Sequence, residues 1–340
     1  MNEYHKLTGN QLPTPVSGAS NRPSNRSENP RPESRTVAGF SENKGGDSIP
    51  HQGIPFRTAR QVAVNCDATH ISRKQLLKIE KHLSARDHAV LQAVRRYRFL
   101  TSDQIGRLYV TDCSTKASQT RNQNLLLKRL SDLSMIRPLA RRVGGYGGGS
   151  SVQVWTLTAA GYRLLTLNDP GEHARKRFVE PSPLFLRHTL AVAECAVQLT
   201  DLCRDSEDLT LETVETEPAC WRRFSDNGRV YFLKPDLFAI TTYEDYEDRW
   251  FIEMDLGTEP VSQVVEKCNA YLRYYYSGVE QRDTGMFPLV TWIVPDEARK
   301  ERIQASLREH FKAQPRMFIV ITPGELERMI RQLIDQKELC

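Results

Sequence analysis

Residues 249–260 read RWFIEMDLGTEP, an apolar run from Trp250 to Ile252 that breaks into the alternating acids Glu253 and Asp255 and then a glycine. Strand side chains repeat every two residues, so the two acids fall on one face. Taking a carboxylate out of water without a partner is costly, and something must offset the pair. Solvation at a sheet edge, pairing to Arg249 or Arg273, a bound metal ion or a gripped partner would each do so.

Around this stretch the pattern alternates between helix and strand. From Phe185 onward, RHTLAVAECAVQLTDL predicts an amphipathic helix, LTLETVETEP a strand, and RVYFLKPDLFAIT and RWFIEMDL two further strands. EPVSQVVEKCNAYLRYYYS reads as a long helix. FPLVTWIVP, EARKERIQASLREHF, RMFIVIT and GELERMIRQLI then read as strand, helix, strand and helix. The expected class is α/β, a sheet with helices packed over it.

This order, with Pro235-Asp236 in one strand and Glu253-x-Asp255 in the next, resembles the PD-(D/E)XK nuclease superfamily, a restriction-endonuclease-like fold. The resemblance implies that Asp236 and Glu253 coordinate Mg²⁺, a hard ion that prefers oxygen ligands, and that a nearby lysine assists. Glu194, on the first helix of this half, occupies the place of a supporting acid. One position departs from the pattern: Asp255 stands where the superfamily has lysine. Lys267 in the following helix and Lys234 beside Pro235 are the candidates to replace it. The candidate catalytic set is therefore Asp236, Glu253, Asp255 and Lys267. A lone histidine in an amphipathic helix, His188, reads as a packed or capped residue, and the tyrosines of YLRYYYS, including Tyr271, read as core.

The preceding half has a different chemistry. Residues 70–145 carry sixteen Lys and Arg against five Asp and Glu, a balance of +11, whereas residues 178–340 carry nineteen against twenty-nine, a balance of −10. A basic block of that density suits a polyanion, because cations on phosphate release condensed counterions. SARDHAVLQAVRRYRFL opens on a capping box at Ser84 and Asp87. TSDQIGRLYV is a short helix, and QTRNQNLLLKRLSDLSMI a third, with Leu126, Leu130 and Leu133 on one face. IRPLARRV and VQVWTLT, separated by GGYGGGS, predict a hairpin, and a helix follows from about Ala159.

Three helices and a hairpin give the order of a winged helix-turn-helix, and LTAAG (Leu157, Thr158, Gly161) resembles the exit from the wing in many winged-helix regulators. In such a domain the third helix reads the major groove of double-stranded DNA and the wing reaches the backbone. Arg121, Asn124 and Lys128 suit the helix role, with Lys116 before it, and Arg141 and Arg142 suit the wing.

The chain divides into a Ser-, Asn- and Pro-rich tail over residues 1–70, expected to be disordered, the winged helix over 71–168, a linker over 169–184 and the nuclease-like domain over 185–340. The seven cysteines are scattered and never form C-x-x-C, which argues against a disulfide framework or a zinc site. No apolar run is long enough to span a bilayer and no secretion signal opens the chain, so the expected location is the cytoplasm, away from membranes.

Both halves together resemble the replication-relaxation family of plasmids and mobile elements. The residues that carry the likeness are R-H-x-L-A-V (Arg187, His188, Leu190, Ala191, Val192), P-D, E-x-D-x-G-T-E (Glu253 to Glu259) and K-x-x-x-Y (Lys267, Tyr271). The resemblance implies an accessory DNA-binding role in replication, DNA relaxation or mobilisation, beside a relaxase or replication initiator. An active Mg²⁺-dependent nickase, a winged-helix transcription regulator and a homodimer stay open.

Overall fold

The computed structural model describes residues 71–140, 152–167, 180–312 and 317–338, all within one compact unit. The tail over residues 1–70 and the expected wing residues Arg141 and Arg142 lie outside the described residues, as does most of the expected linker.

The first half contains α1 (Arg73–Glu80), α2 (Ala85–Tyr97), β1 (Leu100–Thr101), α3 (Ser102–Tyr109), α4 (Lys116–Asp132), β2 (Ile136–Pro138), β3 (Val154–Leu157) and α5 (Ala159–Leu165). Each of the first four helices starts where a hydroxyl side chain takes up an orphan N–H. Ser72, Ser84, Thr101 and Thr115 all complete capping boxes, among them the expected one at Ser84 and Asp87. The three short strands form one antiparallel sheet in the order β1-β3-β2.

The second half runs α6 (Pro183–Arg204), β4 (Leu209–Thr216), β5 (Arg222–Asp226), β6 (Arg229–Leu233), β7 (Leu237–Tyr243), β8 (Tyr246–Met254), α7 (Val261–Ser277), α8 (Val279–Thr284), β9 (Leu289–Ile293), α9 (Glu297–His310), β10 (Phe318–Ile321) and α10 (Leu326–Glu338). Five strands make a mixed sheet in the order β10-β9-β8-β7-β4. β8, β9 and β10 are parallel, and β7 runs antiparallel to both its neighbours. The fold is thus mixed α/β. One sequence expectation is corrected: RVYFLKPDLFAIT is not a single strand. Pro235 has no N–H to give a ladder, and the chain breaks there into β6, which pairs with β5 in a separate hairpin, and β7, which enters the main sheet.

Apolar side chains of α2 and α4 (Leu91, Leu127, Leu130), of α6 (Ala196, Leu199) and of one face of the sheet (Ala239, Trp250, Ile252) form one continuous core. The other face is covered by α7 and α9 around Phe251, Tyr271, Val290 and Ile303. Helix α6 also ties the halves together by polar contacts. Arg107 of α3 donates to Glu194 at 2.6 Å and to Asp201 at 2.7 Å, and Gln104 reaches Glu194 at 3.0 Å. Among the described residues no helix is long and apolar enough to cross a membrane.

The LTAAG segment shows why its glycine is required. Thr158 caps α5 by accepting from Gly161 N–H, and its own N–H donates to the Met135 carbonyl. A Cβ on Gly161 would lie 2.1 Å from that same carbonyl oxygen. Helix propensity alone would favour alanine there, yet backbone cannot yield as a side-chain tip can. Gly161→Ala is expected to lower stability by about 1–3 kcal/mol, as overpacking does, measured as the midpoint shift in urea unfolding monitored by circular dichroism.

Candidate functional site: a carboxylate pair closed by lysine and histidine

Asp236 follows Pro235 directly, at the edge of β7. The β7–β8 register pairs Leu237 with Ile252, and one further step along the two chains sets Asp236 opposite Glu253. After β8 the chain turns through Gly257, whose φ of 73° is readily adopted only by glycine, and enters α7. Lys267 and Tyr271 stand four residues apart on that helix and so share a face. Both reach Glu253: the lysine Nζ donates to Oε2 at 2.5 Å and the tyrosine hydroxyl to Oε1 at 2.5 Å. On the opposite side, His188 of α6 lies with Nε2 3.1 Å from Asp236 Oδ2, which also accepts from the Met254 N–H at 2.8 Å.

Glu253 is only 1% exposed. Burial, reinforced by the charge of Asp236 and opposed by Lys267, pushes its carboxyl up to about 8. Burial also works against the Lys267 ammonium, but Glu253 and Asp236 outweigh it and hold the amine charged well above its ordinary range. Asp236 sits below the usual carboxylate range, because the His188 hydrogen bond and the Lys267 charge overcome its desolvation. The same hydrogen bond raises His188 against its own burial. Burial and the neighbouring Glu253 charge keep Tyr271 far above the ordinary phenol range, so it remains a donor.

Asp255 shares the helix-covered side of the sheet with Glu253 but meets a different partner. Arg299 of α9 donates through Nε to Oδ2 at 2.6 Å and through Nη2 to Oδ1 at 3.2 Å, and it also reaches the Glu259 carbonyl at 2.7 Å. Asp255 in addition accepts from Gly257 N–H, so it fastens the turn between β8 and α7 to α9. Of the ways to offset two acids, solvation is ruled out by their burial. The expected arginines are also engaged elsewhere: Arg249 pairs with Glu247, and Arg273 lies over the Tyr231 ring. The partners are Lys267 and Arg299.

Of the remaining sequence candidates, Glu194 is held by Arg107 and Gln104 at the junction with α3 and is not brought to the carboxylate pair. Lys234 lies over Trp221, with Nζ 4.4 Å from the ring centre. On α4, Leu126 and Leu130 are buried, while Arg121, Asn124 and Lys128 are exposed. Lys128 pairs with Asp132 and Lys116 with Asp103, all at exposed positions where such pairs contribute little. Arg129 points inward to the buried Asp87 instead.

Sequence reasoning passed over His188 and Tyr271. Each sits on an apolar helix face, where residue type alone cannot tell a core position from one turned to a buried charge. Their signal was the spacing of R-H-x-L-A-V and K-x-x-x-Y relative to the two acids. Among the described residues no group of three His, Cys, Asp or Glu gathers as a metal site. The donor set is a carboxylate pair, which suits an ion such as Mg²⁺ that keeps several waters and needs only one or two protein oxygens.

Two outcomes follow from these contacts. Arg299→Ala would strand a buried carboxylate and is expected to cost about 3–5 kcal/mol in chemical denaturation, with Asp255→Asn in the same chain recovering part of the loss. Glu253 and His188 both bind their protons more tightly folded than unfolded, so their contributions are present at low pH and lost as pH rises through the folded values. The unfolding midpoint is therefore expected to fall between about pH 5 and about pH 8, and Glu253→Gln to flatten most of that slope.

The family model described as Replication-relaxation matches residues 91–290, more than half of the chain. No curated protein matches the sequence.

Proposed function

From the premise that the chain belongs to the replication-relaxation family, we propose that it is a DNA-binding accessory protein of plasmid or mobile-element replication, DNA relaxation or mobilisation. Membership suggests a role related to plasmid replication and relaxation. The finer reading assigns α2, α3 and α4 with the β1–β3 sheet to a winged helix-turn-helix. In it α4 enters the major groove of double-stranded DNA with Arg121, Asn124 and Lys128, and Lys116 meets a phosphate. Arg141 and Arg142 are the corresponding wing cations. A relaxase or a replication initiator is the partner class that this role calls for, and the working location is the cytoplasm.

The α/β half is read as a PD-(D/E)XK-like domain, and the single observation that carries this is Asp236 set opposite Glu253 with Lys267 in contact. Asp236 and Glu253 would hold Mg²⁺, which when bound supplies an activated water and offsets charge on a phosphate. The chain's own residues prepare the place. Lys267 and Tyr271 fix both oxygens of Glu253, and His188 orients Asp236. A second reading, an active nickase, is favoured by one specific contact: the lysine missing at position 255 is supplied to Glu253 from α7.

One experiment addresses both readings. Duplex affinity measured against salt is expected to fall steeply, and an Arg121→Ala/Lys128→Ala variant to bind more weakly with a log–log slope shallower by about 2. A flat salt response in the wild type would sink DNA binding. In the same preparation, supercoiled plasmid with Mg²⁺ gives nicked product that Asp236→Ala abolishes if the second reading holds, and stays supercoiled if the domain only binds.

A further inference from the structure

The β5–β6 hairpin is the part of the acidic half that neither reading uses. It turns through Asn227 and Gly228, with φ of 48° and 72°, the conformation a tight two-residue hairpin requires. Its inner face is anchored: Phe224 stacks on Tyr231 at 5.6 Å and meets Tyr274 of α7 at 5.1 Å. Its outer face is open. The register pairs Arg223 with Phe232 and Ser225 with Val230, and all four are exposed, Phe232 at 55% and Val230 at 48%.

Charge separates this hairpin from its surroundings. Residues 221–234 hold four cations, Arg222, Arg223, Arg229 and Lys234, against the single acid Asp226, a balance of +3 inside a half that totals −10. Arg222 is turned inward to Glu215 and Glu280, whereas Arg223, Arg229 and Lys234 are exposed. The hairpin also leads straight into the site. Three residues separate Phe232 from Asp236, and the Cys220 thiol donates to the Pro235 carbonyl at 2.9 Å, closing the base of the hairpin beside the carboxylates.

We propose that the outer face of this hairpin binds an unpaired DNA strand, with a base stacked on Phe232 and the flanking phosphates met by Arg223, directly across the ladder, and by Lys234, two residues further along the same face, so that the strand is delivered toward Asp236 and Glu253. Every base has a π-face, and an exposed aromatic beside cations is the pairing that single-strand platforms use. A protein partner fits less well. Two exposed apolar side chains cover far less than the roughly 800 Å² per partner that a stable interface buries, and the cations beside them would have to be desolvated. The inference rests on the DNA-acting reading above and names the strand and the residues that would hold it.

The full chain is titrated by fluorescence anisotropy with a labelled thymidine oligonucleotide of about sixteen nucleotides, and separately with a duplex. The expected result is oligonucleotide binding that weakens at least about ten-fold in Phe232→Ala, is kept in Phe232→Trp, and weakens with a shallower salt slope in Arg223→Ala/Lys234→Ala. Duplex binding should stay close to wild type in Phe232→Ala. Phe232, Arg223 and Lys234 are all exposed, so the variants should keep the wild-type unfolding midpoint. Unchanged oligonucleotide affinity in Phe232→Ala would overturn the proposal, as would a shift in sedimentation for that variant without a change in affinity, which would mark a protein interface. A wild type that binds duplex and not the oligonucleotide would overturn it while leaving the DNA-acting reading intact. Loss of both would bring down the two together.

Discussion

Glu253 sets the constraint on which this site is built, because a carboxylate closed off from water at the end of a sheet must be answered by groups that other elements bring to it. The answer comes from α7, whose Lys267 and Tyr271 can both reach it only if they lie one turn apart and only if the turn at Gly257 returns the helix over β8. Asp236 adds a second negative charge across the ladder, and α6 supplies His188 to orient it. The neighbouring β7 and α7 and the more distant α6 are thereby fixed against one strand end. The energetics run both ways: the site is held by its charges, and Glu253 resists ionisation because its burial, reinforced by the charge of Asp236, outweighs the pull of Lys267.

The same helix α6 that orients Asp236 is gripped further along by Arg107 and Gln104 of α3. Apolar packing continues across that junction without a break, from Leu91 and Leu127 to Trp250 and Ile252. The basic half and the acidic half, so unlike in charge, are thus built on a shared core. Their opposite electrostatics belong to their surfaces, where Lys and Arg on α4 and Asp and Glu around the sheet remain wet.

Much of this was legible from the chain. Helix and strand periodicity located nearly every long element, and the acids of RWFIEMDLGTEP marked the strand end on which the site is built. Lys267 was legible too, as a lysine one helix away from where the pattern wanted it. The hairpin was not: RVYFLKPDLFAIT is apolar on both sides of Pro235, and only the missing N–H separates an edge ribbon from a sheet strand. Partners across long sequence distances were also hidden. Arg299 for Asp255, His188 for Asp236 and Arg107 for Glu194 are set by how helices dock, which no local window records. Glu194, whose place on the first helix suggested the site, turns its side chain to Arg107 and Gln104 at the junction.

The Asp255–Arg299 pair limits how this sequence can change. Lysine at position 255 would match the strand pattern that the PD-(D/E)XK resemblance implies, yet it would set a second cation against a buried guanidinium whose carboxylate partner had just been removed. The shortest mutational route to that pattern is therefore closed unless position 299 changes in the same lineage. Each residue makes the other hard to replace, and Lys267 keeps its duty on α7 because the alternative place for a lysine is already committed to holding two helices and a turn together.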